Sequence, residues 1–166
     1  MSLMCVTAVA PTATVVYQPT SPTLIGSGNY SNPGKEFDAD LATYAIYSAT
    51  STLVLKSKQG TYSGFGSGVV SGRLSVLHAA DMTMNLMETA LGFYDISYSI
   101  NGGTNYISIA GLSAMDTPST GQVLAYVDLT NVDLTNLRIR IKITADSDGS
   151  TGSSCTLYVY DIRFSG

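Results

Sequence analysis

The chain has 166 residues, the size of one domain that can bury a core without metals or disulfides. Charged residues make up only 12% of the sequence and the net charge is −4, whereas binding to nucleic acid or to an anionic membrane surface needs a dense cationic footprint. Both partners are therefore excluded from the expected function, and no run reaches the roughly 20 apolar residues of a membrane span. The abundance of Ser, Thr, Gly and Tyr, with no Trp, is typical of β-sandwiches.

The start of the chain, the two cysteines and the surface composition give expectations about the limits of the domain and about where the protein is located. Residues 1–3 are expected to be a vector leader, because a second Met follows at position 4, and residues 4–166 are expected to form a single β-sandwich domain. The apolar stretch at residues 3–10 is too short and lacks the basic flank of a signal peptide. Whether Cys5 and Cys155 pair stays open. A surface rich in hydroxyls and poor in charge favours an extracellular or virion location over the cytoplasm.

Strand patterns begin near the start of the chain and continue through its middle. Residues 12–17, "TATVVY", are β-branched and bracketed by prolines, which predicts a short edge strand. Residues 51–58, "STLVLKSK", alternate with Leu53 and Leu55 on one face, as a half-buried strand does. Residues 81–92, "DMTMNLMETALG", fit either a short helix capped by Asp81 or a Met-rich strand or loop.

The second half of the chain predicts two hairpins. Residues 93–100, "FYDISYSI", alternate strictly, and the "NGG" that follows is a turn signal leading to a return strand at residues 106–111. Residues 137–143, "LRIRIKI", predict the clearest strand, with residues 156–164, "TLYVYDIRF", as its antiparallel partner.

One strand carries a row of cations on its outward face, formed by Arg138, Arg140 and Lys142. Either this row meets an anionic glycan or a phosphate, or it has no ligand and is a solvated face or a protection against pairing of a sheet edge. The sequence leaves both interpretations open.

Catalytic patterns are missing from the sequence. Nucleophilic triads need an imidazole, and the sole histidine, His78, lies in an apolar stretch typical of a structural residue. No G-x-S-x-G elbow, phosphate-binding loop or dinucleotide fingerprint is present. Glycoside hydrolysis needs two carboxylates across a cleft, and no pair stands out among the 12 acidic residues. The protein is therefore expected not to be an enzyme.

Three stretches carry a resemblance to a known superfamily. Residues 37–44, "FDADLATY", resemble the "DG[ND]xxTxW" loop of galactose-binding-like jelly rolls, the superfamily of discoidin domains and many carbohydrate-binding modules. Residues 97–106, "SYSINGGTNY", are similar to a hairpin of such modules and of phage tail proteins. Residues 157–166, "LYVYDIRFSG", resemble the closing strand of the fold. Ala39 stands where the superfamily has glycine.

The resemblance implies an all-β fold, an antiparallel β-sandwich of jelly-roll type with at most one short helix. It also implies a structural Ca²⁺, bound by the acidic and hydroxyl oxygens of Asp38, Asp40, Thr43 and Asp161. Calcium takes about six to eight oxygen ligands, and this set supplies them without His or Cys. The alternative is that Asp38 and Asp40 cap a turn by accepting backbone N–H bonds.

Sugar modules of this class stack an aromatic ring on the apolar face of a sugar, and this task falls to tyrosine in a chain without Trp. The tyrosines in or beside loops are Tyr30, Tyr44, Tyr47 and Tyr62.

Three functions remain open at the level of the sequence. The first is a non-catalytic surface or virion-associated module for structural assembly or attachment, with other protein subunits as partners and a homo-oligomer as one form. The second is a calcium-stabilised, lectin-like module that binds carbohydrate. The third is a glycan-cleaving enzyme.

Overall fold

The computed structural model describes residues 14–20, 22–51, 55–83, 92–119, 121–146 and 152–166. Within these ranges the chain forms strands and one 3₁₀ turn, Lys35–Phe37. In chain order the strands are β1 (Val16–Tyr17), β2 (Thr23–Ile25), β3 (Asn29–Ser31), β4 (Ala45–Ser51), β5 (Lys56–Tyr62), β6 (Val69–Thr83), β7 (Gly92–Ser99), β8 (Ile107–Ser108), β9 (Val123–Asp133), β10 (Arg138–Ala145) and β11 (Ser153–Ser165).

The strands form two antiparallel sheets. Sheet A has the order β3-β4-β11-β6-β9, with β1 also paired to the end of β11. Sheet B has the order β2-β5-β10-β7-β8. From β4 onward every connection except that between β7 and β8 crosses from one sheet to the other, which is the jelly-roll form of a β-sandwich. The predicted fold class is confirmed.

The inner faces of the two sheets share one hydrophobic core. In β10, Ile139, Ile141 and Ile143 are fully buried and pack in the same cluster as Leu157 and Val159 of β11. Alternation along each strand sends every second side chain inward, so the predicted pattern of residues 137–143 is confirmed.

The described residues contain no helix that is long and apolar enough to cross a membrane.

The predicted pairing of β10 with β11 is wrong. β10 lies between β5 and β7 in sheet B, whereas β11 lies between β4 and β6 in sheet A. Two adjacent strands with strong alternation can form a hairpin or face each other across a core. The inward side chains of β10 and β11 meet in the core, so the connection between them crosses the sandwich.

Two other predicted elements differ from the structure. Residues 51–58 are not one strand, because β4 ends at Ser51, β5 begins at Lys56, and Leu55 is 59% exposed. Residues 52–54 lie outside the described residues. The alternative helix from Asp81 does not begin there, because residues 81–83 continue β6; residues 84–91 also lie outside the described residues.

The turn after β7 is confirmed. Gly102 and Gly103 have φ of 72° and 96°, the conformation that favours glycine, and β7 then pairs with β8. The return strand is shorter than predicted and spans only Ile107–Ser108.

Candidate functional site

The candidate site lies on the outer face of sheet A, where a bulge in β11 changes which side chains point outward. Leu157 and Val159 point into the core, and the register against β6 then shifts between Val159 and Asp161. After the shift Ile162 points inward, so Asp161 and Arg163 face outward. A bulge that redirects side chains in this way is common next to binding sites.

Cross-strand pairing builds rows of side chains on this face. Asp161 pairs with Leu77 of β6, which pairs with Leu124 of β9. Arg163 pairs with Ser75 in the next row. Directly opposed residues of antiparallel strands point to the same face, so these side chains are neighbours.

The rows enclose a surface hollow of about 300 Å³. Its apolar walls and polar groups are contributed by Leu41, Ser75, Leu77, Leu124, Asp161 and Arg163. Apolar walls with a few fixed polar groups are the usual composition of a small-molecule site.

Asp161 is the central polar group of the hollow. The residue is only 3% exposed, and its Oδ2 accepts a hydrogen bond from Nε of Arg163 in an ion pair. Its Oδ1 is buried and accepts no hydrogen bond within the described part of the chain. A buried carboxylate oxygen without a donor is unfavourable, so Asp161 is an acceptor suited to a ligand hydroxyl.

The loop at residues 38–43 forms one wall of the hollow. Oδ1 of Asp38 accepts from the amide of Asp40 at 3.0 Å, and Oδ1 of Asp40 accepts from the amide of Ala42 at 2.9 Å. Oγ1 of Thr43 donates to Oδ2 of Asp38 at 2.7 Å. The hydroxyl of Thr43 and the amide of Asp40 lower the pKa of Asp38, because both hydrogen bonds favour the carboxylate.

These turns position Leu41 over the sheet. The side chain of Gln122, just before β9, donates from Nε2 to the carbonyl oxygen of Leu41 at 2.9 Å. The loop is thereby tied to the edge of the strand that carries Leu124, the opposite wall.

Three tyrosines form a group on the same face of sheet A: Tyr158 and Tyr160 belong to β11, and Tyr44 directly precedes β4. The ring centre of Tyr44 lies 5.0 Å from that of Tyr158 and 5.2 Å from that of Tyr160, both in edge-to-face geometry. We call these three residues the tyrosine cluster. Burial, followed by the nearby charge of Asp81, raises the pKa of Tyr158, so its phenol stays protonated at neutral pH. Each half-buried ring joins an apolar body to a polar hydroxyl.

Of the four tyrosines predicted to contact a ligand, the structure brings only Tyr44 to this face. Tyr47 and Tyr62 are fully buried, and their hydroxyls hydrogen-bond each other at 2.7 Å inside the core. The prediction for these two is wrong, because both lie within strands at inward positions. Tyr30 is half-buried, stacks near Tyr47 at 4.9 Å and donates to the buried Glu36 at 2.6 Å.

The residues predicted to bind calcium do not come together as one site. Asp38, Asp40 and Thr43 share the loop, where their oxygens hold the turns and Lys35 makes an ion pair with Asp38 at 3.2 Å. Asp161 is engaged with Arg163 in the hollow. Among the described residues no three His, Cys, Asp or Glu side chains form a group that could hold a metal. The arrangement fits turn capping and does not fit a calcium cage; calcium binding itself stays an untested prediction.

The other chemically reactive side chains are structural. His78 is fully buried, its Nε2 lies 3.4 Å from the hydroxyl of Tyr94, and burial lowers its pKa, so it stays neutral. Cys155 is buried and free, and burial raises its pKa to about 12. The other cysteine, Cys5, lies outside the described residues.

Several site residues were not predicted from the sequence, namely Leu41, Leu77, Leu124, Tyr158, Tyr160 and Arg163. Alternation in "TLYVYDIRF" does place Tyr158 and Tyr160 opposite the core. The sequence carries no visible signal for the bulge that brings Asp161 and Arg163 to the same face.

Comparison with known proteins finds no matching family model and no matching curated protein. A solved structure of TmCBM61 in complex with β-1,4-galactotriose has 10% identity and a TM-score of 0.39, covering 87% of this chain and 87% of that one. Another, from a study of promiscuous specificity in carbohydrate-binding modules of the β-sandwich superfamily, has 10% identity and a TM-score of 0.33, covering 92% of this chain and 56% of that one. Both are carbohydrate-binding modules, the class that the sequence motifs resemble; the likeness to phage tail proteins stays a prediction.

Proposed function

We propose that this protein is a non-catalytic recognition module that binds an uncharged carbohydrate on the outer face of sheet A. The observation that carries the proposal is the buried Oδ1 of Asp161, which accepts no hydrogen bond from the described residues and lines a hollow with leucine walls. A sugar hydroxyl is a donor of the right kind, because it is neutral and needs no counter-ion in the site.

The ion pair between Asp161 and Arg163 supplies both a hydrogen-bond acceptor and a hydrogen-bond donor for sugar hydroxyls. Asp161 accepts a hydrogen bond, whereas the guanidinium of Arg163 has N–H groups beyond the Nε that it donates to Asp161. Neighbouring hydroxyls on one sugar ring act as donor and acceptor, so one ring satisfies both side chains. The pair is neutral in sum, which favours an uncharged ligand.

The walls suit the C–H face of a sugar ring. Leu41, Leu77 and Leu124 provide apolar surface on the sides of the hollow. The tyrosine cluster extends this surface along β11 with rings that combine apolar faces and hydroxyls. A chain of two or more sugars would therefore occupy the hollow and the cluster together.

The same arrangement argues for binding without cleavage. Glycoside hydrolysis in its usual form needs a pair of carboxyl groups on either side of the scissile bond. Asp161 is the carboxylate among the described residues that line the hollow, and Arg163 already neutralises it. The hollow therefore lacks a second acid for the reaction.

A binding screen against immobilised neutral oligosaccharides tests the proposal. We expect the wild-type protein to bind one class of sugar, and Leu124→Ser to weaken that binding by about tenfold, because an apolar wall contact is worth about 1–3 kcal/mol. Asp161→Asn should weaken sugar binding further, since an NH₂ group, which donates hydrogen bonds, replaces one of the two acceptor oxygens of the carboxylate.

The matched control is Ile107→Ser on the opposite sheet. Ile107 is 56% exposed and Leu124 is 55% exposed, so both substitutions remove a similar aliphatic side chain from a surface strand. The control should bind like the wild type. Equal loss in both variants, or no binding of any neutral sugar by the folded wild-type protein, would contradict the proposal.

A second candidate is assembly through β9, the role in a surface or virion-associated particle that the sequence also suggests. β9 is an edge strand of sheet A and exposes Val123, Leu124 and Tyr126. An exposed apolar edge strand is a surface on which further strands pair. Light scattering across a concentration series tests this role: a defined oligomer supports it, and a monomer at every concentration rejects it.

A further inference from the structure

The outer face of sheet B carries a second feature that carbohydrate binding on sheet A does not use. Its central strand, β10, points Arg138, Arg140 and Lys142 away from the core. Alternate residues of a strand are about 7 Å apart, so the three cations form a row about 14 Å long. We call them the β10 cation row.

Protection of a sheet edge does not explain the row. Charged residues discourage strand pairing when they lie on an edge strand. β10 is paired with β7 along its whole length and with β5 from Ile139 to Ala145. It has no free edge to protect, which removes that explanation and leaves a solvated face without a ligand as the alternative.

The three cations of the row have no ionic partner among the described residues. On the other sheet Arg73 makes a two-bond ion pair with Asp128, at 2.8 and 3.0 Å, and Arg163 pairs with Asp161. The nearest acid by register to the row is Asp95, opposite Lys142. Its Oδ1 accepts a hydrogen bond from the amide of Ala114 at 2.7 Å, and no ion pair with Lys142 forms.

Arg140 is held in a defined position at the middle of the row. Its guanidinium carbon lies 4.1 Å from the ring centre of Tyr106, which fixes the plane of the group. Its Nε is buried and donates to no acceptor in the described part of the chain. Thr61 on β5 and Ser97 on β7 lie directly opposite it by register, so their hydroxyl side chains are on the same face of the sheet.

The balance of charge on this face is opposite to that of the whole chain. Among the strand residues of this face, three cations against Asp95 give 3 − 1 = +2, whereas the whole chain carries −4. Like charges at this spacing repel each other weakly in water, and a bound anion would replace that repulsion by attraction. An ordered guanidinium with an unused N–H group is suited to a planar or tetrahedral anion.

We propose that the outer face of sheet B is a second binding surface, and that it takes an acidic polysaccharide carrying carboxylate or sulfate groups. The row is short and sparse, so it matches a polymer with widely spaced anions. Duplex DNA carries one charge per about 1.7 Å, and a protein of net charge −4 repels so dense a polyanion. The hydroxyl and amide side chains beside the row, Thr61 and Gln59, suit contacts with sugar hydroxyls.

The test compares polymers that share one backbone. Dextran, carboxymethyl dextran and dextran sulfate are titrated into the protein at low salt and at about 0.3 M salt, where exposed charge attraction is largely screened. We expect no binding of dextran on this face, binding of one or both acidic forms, and a weaker affinity at the higher salt. The acidic form that binds more tightly identifies the anion.

Two double variants with the same net charge locate the binding. Arg140→Gln with Lys142→Gln removes two charges from the row, and Lys35→Gln with Arg73→Gln removes two charges from residues that make ion pairs elsewhere. Both have a net charge of −4 − 2 = −6. The row variant should lose at least about tenfold in affinity for the acidic dextran, as expected when hydrogen bonds to charged groups are removed, and the control should change less than about twofold.

A single substitution separates loss of binding from loss of folding. Lys142→Glu changes a side chain with no hydrogen bond or ion pair to other described residues, so we expect it to fold and to lose binding. Equal loss in the row and control variants would overturn the proposal, and so would binding of duplex DNA as tight as that of acidic dextran. Because binding to sheet A is read with neutral sugars and Leu124→Ser, the two proposals fail separately.

Discussion

Ala39 adopts a backbone conformation that side chains disfavour. Its φ is 60°, in the left-handed region, at the position where the loop it resembles has glycine. The loop therefore keeps its shape although alanine has replaced the residue best suited to it. Neighbouring turns formed by Asp38 and Asp40 hold Ala39 in place.

We expect Ala39→Gly to stabilise the protein by about 0.5–1 kcal/mol. The left-handed conformation costs a side chain about 1–2 kcal/mol, and the extra freedom of glycine in the unfolded chain offsets about 0.5–1 kcal/mol of the gain. The measurement is the free energy of unfolding in urea.

The control is Ala42→Gly in the same loop. Ala42 is not among the residues with positive φ, so glycine there should lower stability. A loss of stability in both variants would show that the backbone of Ala39 is not strained.

Asp38 and Asp133 make stability depend on pH in acid. Hydrogen bonds from Thr43 lower the pKa of Asp38, and hydrogen bonds from Thr135 lower that of Asp133, both below the usual 3.8. A lowered folded pKa means that the contribution to stability is complete above the unfolded value and is lost as pH falls through the folded one.

We therefore expect the urea midpoint to fall as the pH drops below about 4. In Asp133→Asn the midpoint should be lower at neutral pH, because the amide cannot accept all three hydrogen bonds from Thr135 and Asn136. Its further fall in acid should be smaller than that of the wild type. An identical acid response in both proteins would remove Asp133 from this account.

Sequence patterns predict well which face of a sheet a side chain lies on where alternation is strict, and predict it poorly where alternation is interrupted. Ile139, Ile141 and Ile143 are buried as their alternation predicts. The ion pair of Asp161 with Arg163 was not predicted, because the bulge before Asp161 changes the face on which it lies. Bulges depend on tertiary packing, which local patterns do not encode.

At the scale of whole elements, the side chain of Tyr47 on β4 reaches so close to β5 in the facing sheet that glycine is required at position 60. A Cβ placed at Gly60 would lie 2.0 Å from the hydroxyl oxygen of Tyr47 and 2.8 Å from its Cζ. The hydroxyl of Tyr47 is held there by its hydrogen bond to Tyr62. Gly60 therefore makes room for a buried tyrosine that crosses between the sheets.

We expect Gly60→Ala to destabilise the protein by about 1–3 kcal/mol, the usual range for overpacking a core. Tyr47→Phe removes both the clashing oxygen and one buried hydrogen bond, so alone it should cost about 1 kcal/mol. Combined, the two substitutions should cost at least about 0.5 kcal/mol less than their sum, since they share one contact. Strict additivity in a double-mutant cycle would contradict this contact.

Which strands pair with each other could not be predicted from the order of the strands along the sequence. β10 and β11 each show the pattern of a strand with one buried face, and that pattern is satisfied equally by a hairpin or by two facing sheets. The β7–β8 hairpin was predicted correctly because Gly102 and Gly103 specify a tight turn locally. The inward side chains of β10 and β11 pack in one core, and this packing places the two strands in different sheets.

At the scale of the whole molecule, the loop that resembles a calcium site makes a clear thermal prediction. Its carboxylates already accept amide and hydroxyl hydrogen bonds, and one is paired with Lys35. We expect neither a chelator nor added calcium to change Tm, because an ion that binds only the folded state would raise it. A rise with calcium that Asp38→Asn abolishes would show that the loop binds the ion after all.

The position of β11 within sheet A affects the order in which the protein can be completed. β11 is the last strand along the chain, yet β4, β6 and β1 all pair with it. A nascent chain that lacks residues 153–165 would leave the facing edges of β4 and β6 open, and open edges recruit strands from other chains. We expect productive folding to wait until residues 153–165 have been synthesised and are free to pair, and truncation within β11 to yield aggregates.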